Sequence, residues 1–289
     1  MKIMKSKLFI IGLIALVISA CQENSKTTDE QSKTQVKNVE TYNQTTEIPD
    51  YVLTPDEVET RIGTLKYFDG IPTEETAALL YDHLDFIRGV ESFLNGMSAT
   101  SLEALRRGQA ELGAKNSNQV VIFDQLMDSK PLFLTGNTST VYALAFLDLK
   151  KDGPTVIEIP AGAGPGTTND AFFRFVIDHG APGPDRGKGG KYLILPPDYE
   201  GEIPEGYFTA KSPSYVNWVA LRGFLDEVES KPDEATKMWK EGLKIYPLSS
   251  ADNPPVMEFI NGSKMAFNTI HANDLAFYEE LHTVIDREP

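Results

Sequence analysis

Between residues 119 and 211 the chain is cut into short runs rich in β-branched and aromatic residues, and turn chemistry separates them. The runs are 119–123, 131–135, 140–148 and 155–160; Asp128-Ser129, Gly136-Asn137 and Lys151-Asp152-Gly153-Pro154 stand between them. Runs this short, bounded by such residues, predict a meander of strands. Further strands are expected at 171–178, 191–195 and 206–211, while 214–225 fits either a strand or a helix.

Helical signals flank this region. Thr54, Pro55 and Glu57 supply a cap, a first-turn proline and a capping-box glutamate for a helix that would carry Val58, Ile62 and Leu65 to Asp69-Gly70. Pro72-Thr73-Glu74-Glu75 opens a second, with Ala77, Leu80, Leu84, Ile87 and Leu94 at helical spacing. A third is predicted over 98–112, ending at Gly113. Downstream, 232–244 is helical, and a last helix opens at Asn273-Asp274 and runs to about residue 285. Its Leu275, Phe277, Tyr278, Leu281 and Ile285 exceed one apolar stripe, so that surface is expected to be partly exposed or covered by another chain. The predicted fold class is α+β: N-terminal helices followed by an antiparallel or mixed β-sheet domain with C-terminal helices.

The first residues carry an address. Lys2, Lys5 and Lys7 precede an apolar run from Leu8 to Val17 that closes on Ile18-Ser19-Ala20-Cys21. This is the layout of an export signal, and Cys21, the single cysteine, sits where a bacterial lipobox, which the pattern resembles, requires it. The reading is a lipoprotein signal peptide over 1–20, lipidation at Cys21 and a lipid bilayer as partner. The apolar run is shorter than the about 20 residues of a bilayer span, whereas multiple acyl chains give stable anchoring. Gln22 after the cysteine favours, by resemblance to Gram-negative sorting, the outer membrane facing the periplasm. Residues 21–50 are polar and read as a disordered tether, leaving 51–289 as a single α+β domain.

Charge limits the partners. Against 42 Asp and Glu the chain has 27 Lys and Arg, a net −15, and loss of the three signal lysines would take it to −18. Such a body repels phosphate backbones, so nucleic acid is not an expected partner. One cysteine excludes an intramolecular disulfide and a cysteine-based zinc site.

The chemical motifs are sparse. Gly183-Pro184-Asp185-Arg186-Gly187-Lys188-Gly189-Gly190-Lys191 has the wrong spacing for a phosphate loop, lacks Ser or Thr after the lysine, and precedes a strand. It is expected to be an exposed connection with Asp185, Arg186 and Lys188 at its tip. Gly162–Gly166 is no dinucleotide fingerprint, and neither a nucleophile elbow nor an H-E-x-x-H pair occurs. No cofactor and no metal is expected. Polar clusters remain. Asp82 and Asp85 lie three apart on one helix flank with Arg88 in reach, either a carboxylate pair at a cleft or an ion-paired surface. His179 ends a strand beside the Gly/Pro loop, at a pocket mouth or in solvent. His271 precedes a helix start, where an imidazole could act as a base or be held within the turn.

Several segments in order resemble one family. Gln125–Lys130, Leu134–Thr138 with Thr140-Val141-Tyr142, Phe146–Leu149, Phe173–Val176 with Asp178, Gly183–Tyr192, Leu195–Tyr199 and Asn268–Asp274 look like the domain-of-unknown-function 1254 family. The resemblance extends from about Tyr51 onward. It implies a bacterial, often exported protein that usually carries a second C-terminal unit, the domain-of-unknown-function 1214 family. This chain stops at Asp286-Arg287-Glu288-Pro289, so a separately encoded partner domain, a truncated chain or a homo-oligomer is expected. The resemblance brings no catalytic residues. The functional expectation is a cell-envelope lipoprotein that binds a small molecule, glycan or protein, or serves as an assembly module. The alternative is an envelope hydrolase or lyase built on Asp, His and Arg. Asp82, Asp85, Arg88, Asn137, Arg174, His179 and His271 are the candidate pocket residues, and convergence of several of them on one concave surface would favour the enzyme.

Overall fold

Strict alternation marks the central strands of the larger sheet in this computed structural model, which describes residues 46–289. In β4 (Gln119–Ile122) and β5 (Thr140–Asp148), Val120, Ile122, Val141, Ala143, Ala145 and Leu147 point to one core. The intervening Val121, Tyr142 and Leu144 point to another. A period of two with both faces apolar is the pattern of a strand covered on both sides. The six-stranded sheet runs β13-β4-β5-β11-β7-β8, with β7 at Gly166–Asp170, β8 at Phe175–His179, β11 at Val216–Phe224 and β13 at Glu258–Asn261. The four-stranded sheet runs β10-β9-β6-β12, with β6 at Thr155–Ile159, β9 at Gly190–Leu195, β10 at Phe208–Lys211 and β12 at Lys244–Pro247. Both are mixed: β13 joins β4 and β10 joins β9 in parallel, and the other pairs are antiparallel.

The sheets face each other through Ile157, Ile159, Tyr192, Ile194 and Ile245, with Trp239 of α3 (Asp233–Gly242) filling the same core. On the far side of the larger sheet lie α1 (Glu74–Glu111) and α4 (Ala276–Arg287). Their Ala99, Leu102, Leu105, Phe277, Leu281 and Val284 pack with Ala171, Val216 and Trp218. A short α2 (Leu149–Asp152), capped by Asp148, turns β5 toward β6.

The α+β class is as expected; its front is not. The predicted helix from Thr54 is a hairpin, β1 (Glu57–Thr60) and β2 (Gly63–Phe68), followed by β3 (Ile71–Pro72). Val58 and Leu65, seven apart and thus on one helical face, are equally cross-strand partners across the tight turn at Arg61-Ile62. Asp69 and Gly70, both at positive φ (49° and 81°), form the next turn rather than a helix end. The second and third helices are one, α1, started by Thr73, whose side chain accepts from the Thr76 N–H. Gly96 does not break it: a Cβ there would stand 2.5 Å from Leu281 Cδ2, so the glycine admits α4.

Other departures are local. Residues 131–135 make only one bridge, Leu132 to Asn268. The strand expected over 171–178 is the second arm of the β7–β8 hairpin, whose turn holds Phe173 at φ 64°. The ambiguous 214–225 is strand β11. In α4, Phe277 and Leu281 are buried within their own chain, whereas Ile285 and, just before the helix, Leu275 are exposed. The signal peptide, Cys21 and the tether up to residue 45 lie outside the described residues. Among those described, no helix is long and apolar enough to cross a membrane.

Candidate functional site

The side chains singled out from sequence occupy separate neighbourhoods. Asp82, Asp85 and Arg88 are exposed on α1, with a long Arg88–Asp85 pair of 3.8 Å: the ion-paired surface. Asn137 folds its own loop, accepting from Ser139 N–H and Thr140 Oγ1 and donating to Tyr142 Oη at 2.8 Å. Arg174 closes the β7–β8 turn on buried Asp170, Nε to Oδ2 at 2.6 Å, and lies against Phe172. His271 donates from Nδ1 to the carbonyl of Ala272 at 2.8 Å and sets its ring edge on Phe277. These groups share no hydrogen-bonding partner.

His179 departs from both expectations. It is neither at a pocket mouth nor in solvent but fully buried. Its Nε2 shares a 2.7 Å hydrogen bond with Thr168 Oγ1, its Nδ1 has no partner, and burial pushes its pKa down to about 3. The ring meets Tyr192 edge-on at 4.4 Å. Asp185, expected at the loop tip with Arg186 and Lys188, turns inward and is buried; Arg186 and Lys188 stay exposed. Tyr192 donates to its Oδ1 and the Gly189 N–H to its Oδ2. Burial and the neighbouring Asp185 both push the Tyr192 hydroxyl up. The Gly/Pro loop is thus pinned from below.

Sequence reasoning missed the cleft that the fold does build. About 250 Å³ in volume, it lies where the end of α1, the loop before β4, the end of β5, α2 and the end of α4 meet. Arg106, Lys115, Lys151 and Arg287 line it with Asp148, Asp152, Asn116 and Ser117. In a chain of net −15 the lining gathers four basic against two acidic side chains, and Glu103 and Glu288 behind it pair with the two arginines, leaving Lys115 and Lys151 as its exposed charges. Buried Glu103 sets the guanidiniums: Arg106 binds it twice, at 2.9 and 2.6 Å, and Arg287 Nη1 at 3.0 Å. Burial raises the Glu103 pKa, but the hydrogen bond and charge of Arg106, then Arg287, outweigh it and hold the carboxyl below its usual range. Arg287 also binds Glu288, which accepts the N–H groups of Tyr215 and Val216.

Ser117 Oγ, which is buried, donates to Asp152 Oδ2 at 2.5 Å, and exposed Lys151 Nζ donates to Asn116 Oδ1 at 2.8 Å. These four side chains also border a more open depression of about 470 Å³ lined by Ile245, Pro247, Ser250 and Asn253. The only sequence signal for the node was Glu103 placed three and four residues before Arg106 and Arg107 on one helix.

Residues 117–247 match a family model described as Protein of unknown function (DUF1254). The resemblance read from the sequence holds over this segment, which begins at Ser117 and ends with β12. The DUF1254 segment supplies the cleft's Ser117, Asp148, Lys151 and Asp152, while Arg106 and Arg287 come from helices outside it. His179, Asp185 and Tyr192 all fall inside it. No curated protein matches the chain. Among solved structures, the VPA0106 protein from Vibrio parahaemolyticus is similar at 16% identity and a TM-score of 0.46. The alignment covers 68% of this chain and 45% of that one, so the chain spans less than half of its length.

Proposed function

We propose that the protein is a cell-envelope lipoprotein whose folded body binds a small ligand bearing a carboxylate or similar anionic group. The observation that carries this is the pair of guanidiniums, Arg106 and Arg287, fixed on buried Glu103 at the wall of the cleft. Arginine presents planar donors suited to carboxylates, and anchoring both on one buried group removes part of the ordering cost of binding. Lys115 and Lys151 add charge at the mouth, and Asn116 and Ser117 add hydrogen-bonding groups for hydroxyls, as an acidic sugar would need. The separate neighbourhoods of Asp82, Asp85, Asn137, Arg174 and His271 favour this over the hydrolase or lyase alternative. The envelope location rests on the basic start, the apolar run and Cys21.

The test is a thermal-shift screen of small carboxylates and acidic sugars followed by calorimetry. A hit at a hundredfold excess over its Kd stabilises by about 2.7 kcal/mol. Lys115→Ala and Lys151→Ala together should weaken it at least tenfold with an unchanged melting temperature in its absence. Hits indifferent to both substitutions would remove the cleft from the proposal. For the anchor, Cys21→Ala should release the protein from the membrane fraction.

A further inference from the structure

The first half of α1 leaves a wide apolar face in water. Between Thr76 and Gly96 no residue of the helix is buried, yet this stretch holds Leu80, Leu84, Phe86, Ile87, Val90 and Leu94. The spacing is regular. Leu80, His83, Ile87, Val90, Leu94 and Met97 follow one another at three, four, three, four and three residues, the seam of a coiled coil. Asp82, Asp85, Arg88, Ser92 and Asn95 occupy the opposite side. The last helix does not cover the seam: α4 meets α1 through Gly89, Phe93 and Gly96, a different face.

We propose that this seam is the interface between two copies of the chain, which pair α1 with α1. A three–four seam is filled by knobs from a helix of the same period, and a second copy supplies that helix by two-fold symmetry. Area agrees. Ile87, Val90, Leu94 and Met97 with the flanking Leu84 and Phe86 are each between 37% and 68% exposed. Together they leave on the order of 500 Å² of apolar surface, most of the ~800 Å² that each partner gives to a stable interface. Other occupants fit less well. Residues 22–45 offer only Val36, Val39 and Tyr42 as large apolar side chains. A bilayer would demand a basic polar face, but α1 contains no lysine and its polar side carries Asp82 and Asp85.

Sedimentation velocity of the full chain in density-matched detergent should show a dimer. Ile87→Glu with Leu94→Glu should weaken it at least tenfold, while Ser92→Glu, on the far side, leaves it unchanged. Because the seam is exposed, circular dichroism and melting of the double variant should match the parent. Independently of that variant, Val90→Cys should give a disulfide-linked dimer on mild oxidation that the parent chain, with Cys21 alone, does not form. A monomeric parent, a dimer insensitive to the double substitution, or a seam whose variants change only vesicle binding would each overturn the proposal.

Discussion

The Tyr192 hydroxyl donates to Asp185 Oδ1 at 2.5 Å, tying a buried carboxylate from the Gly/Pro loop to the middle of the four-stranded sheet. A Cβ at Gly183 would stand 2.7 Å from that hydroxyl, so the loop reaches Tyr192 only because residue 183 has no side chain. Tyr192→Phe leaves Asp185 with the Gly189 N–H alone. It should cost about 1.5–3 kcal/mol in urea unfolding, the range for a buried hydrogen bond to a charged group. Amide exchange should accelerate within 180–190 before it does elsewhere.

His179 should impose a pH dependence of its own. Its folded pKa, about 3, lies below the 6.5 of an exposed imidazole, so the unfolded chain binds the extra proton. The stabilisation is complete above pH 6.5 and falls as pH drops toward 3, by up to about 1.4 kcal/mol per pH unit. Carboxylates titrate lower, and the other three histidines are common to parent and variant, so the difference between the two over pH 6.5 to 5 reports His179. His179→Gln, which keeps a partner for Thr168, should flatten stability against pH there. An unchanged slope in urea titrations would place the proton elsewhere.

Glu103→Gln should remove about 1.5–3 kcal/mol, because Arg106 and Arg287, whose side chains are 35% and 21% exposed, lose the charged acceptor they share. The Glu103 carboxyl is held below its usual range. Its contribution is therefore present above that range and lost as pH falls through the folded value. The variant should lack this part of the acid transition, read by fluorescence between pH 5 and 2.

Gly96→Ala should destabilise by about 1–3 kcal/mol, since the new methyl meets Leu281 Cδ2. Leu281→Ala also costs stability by opening a cavity. The double variant should therefore lose less than the sum of the singles, a coupling that thermal melts can measure.

What was legible in the sequence follows from where each signal resides. β5 announces itself because both of its faces are apolar and its turns are ordinary, whereas β11, interrupted by Asn217, Arg222 and Gly223, reads equally well as strand or helix. β7, Gly-Thr-Thr-Asn-Asp, gives no hydropathy signal, yet four of its five residues are buried. Its Thr168 and Asp170 are matched by His179 and Arg174 on the returning arm, so burial here depends on polar partners that periodicity does not count. The hairpin at the front was misread because Val58 and Leu65 satisfy both a helical face and a cross-strand pair, and tertiary context chose the second. The cleft was invisible because Arg106 and Arg287 lie far apart in the chain and meet only through Glu103.

The bonds from Glu288 to the N–H groups of Tyr215 and Val216 have a temporal meaning. The start of β11 waits for a residue made more than seventy positions later, and the cleft waits for its neighbour Arg287, the last residue of α4. A nascent chain that has emerged only as far as β13 holds every strand, but neither the clasp on β11 nor the packing of Phe277 and Leu281 behind it. Closure of this kind makes the cleft between Arg106 and Arg287 the last part of the fold to be completed as the chain grows.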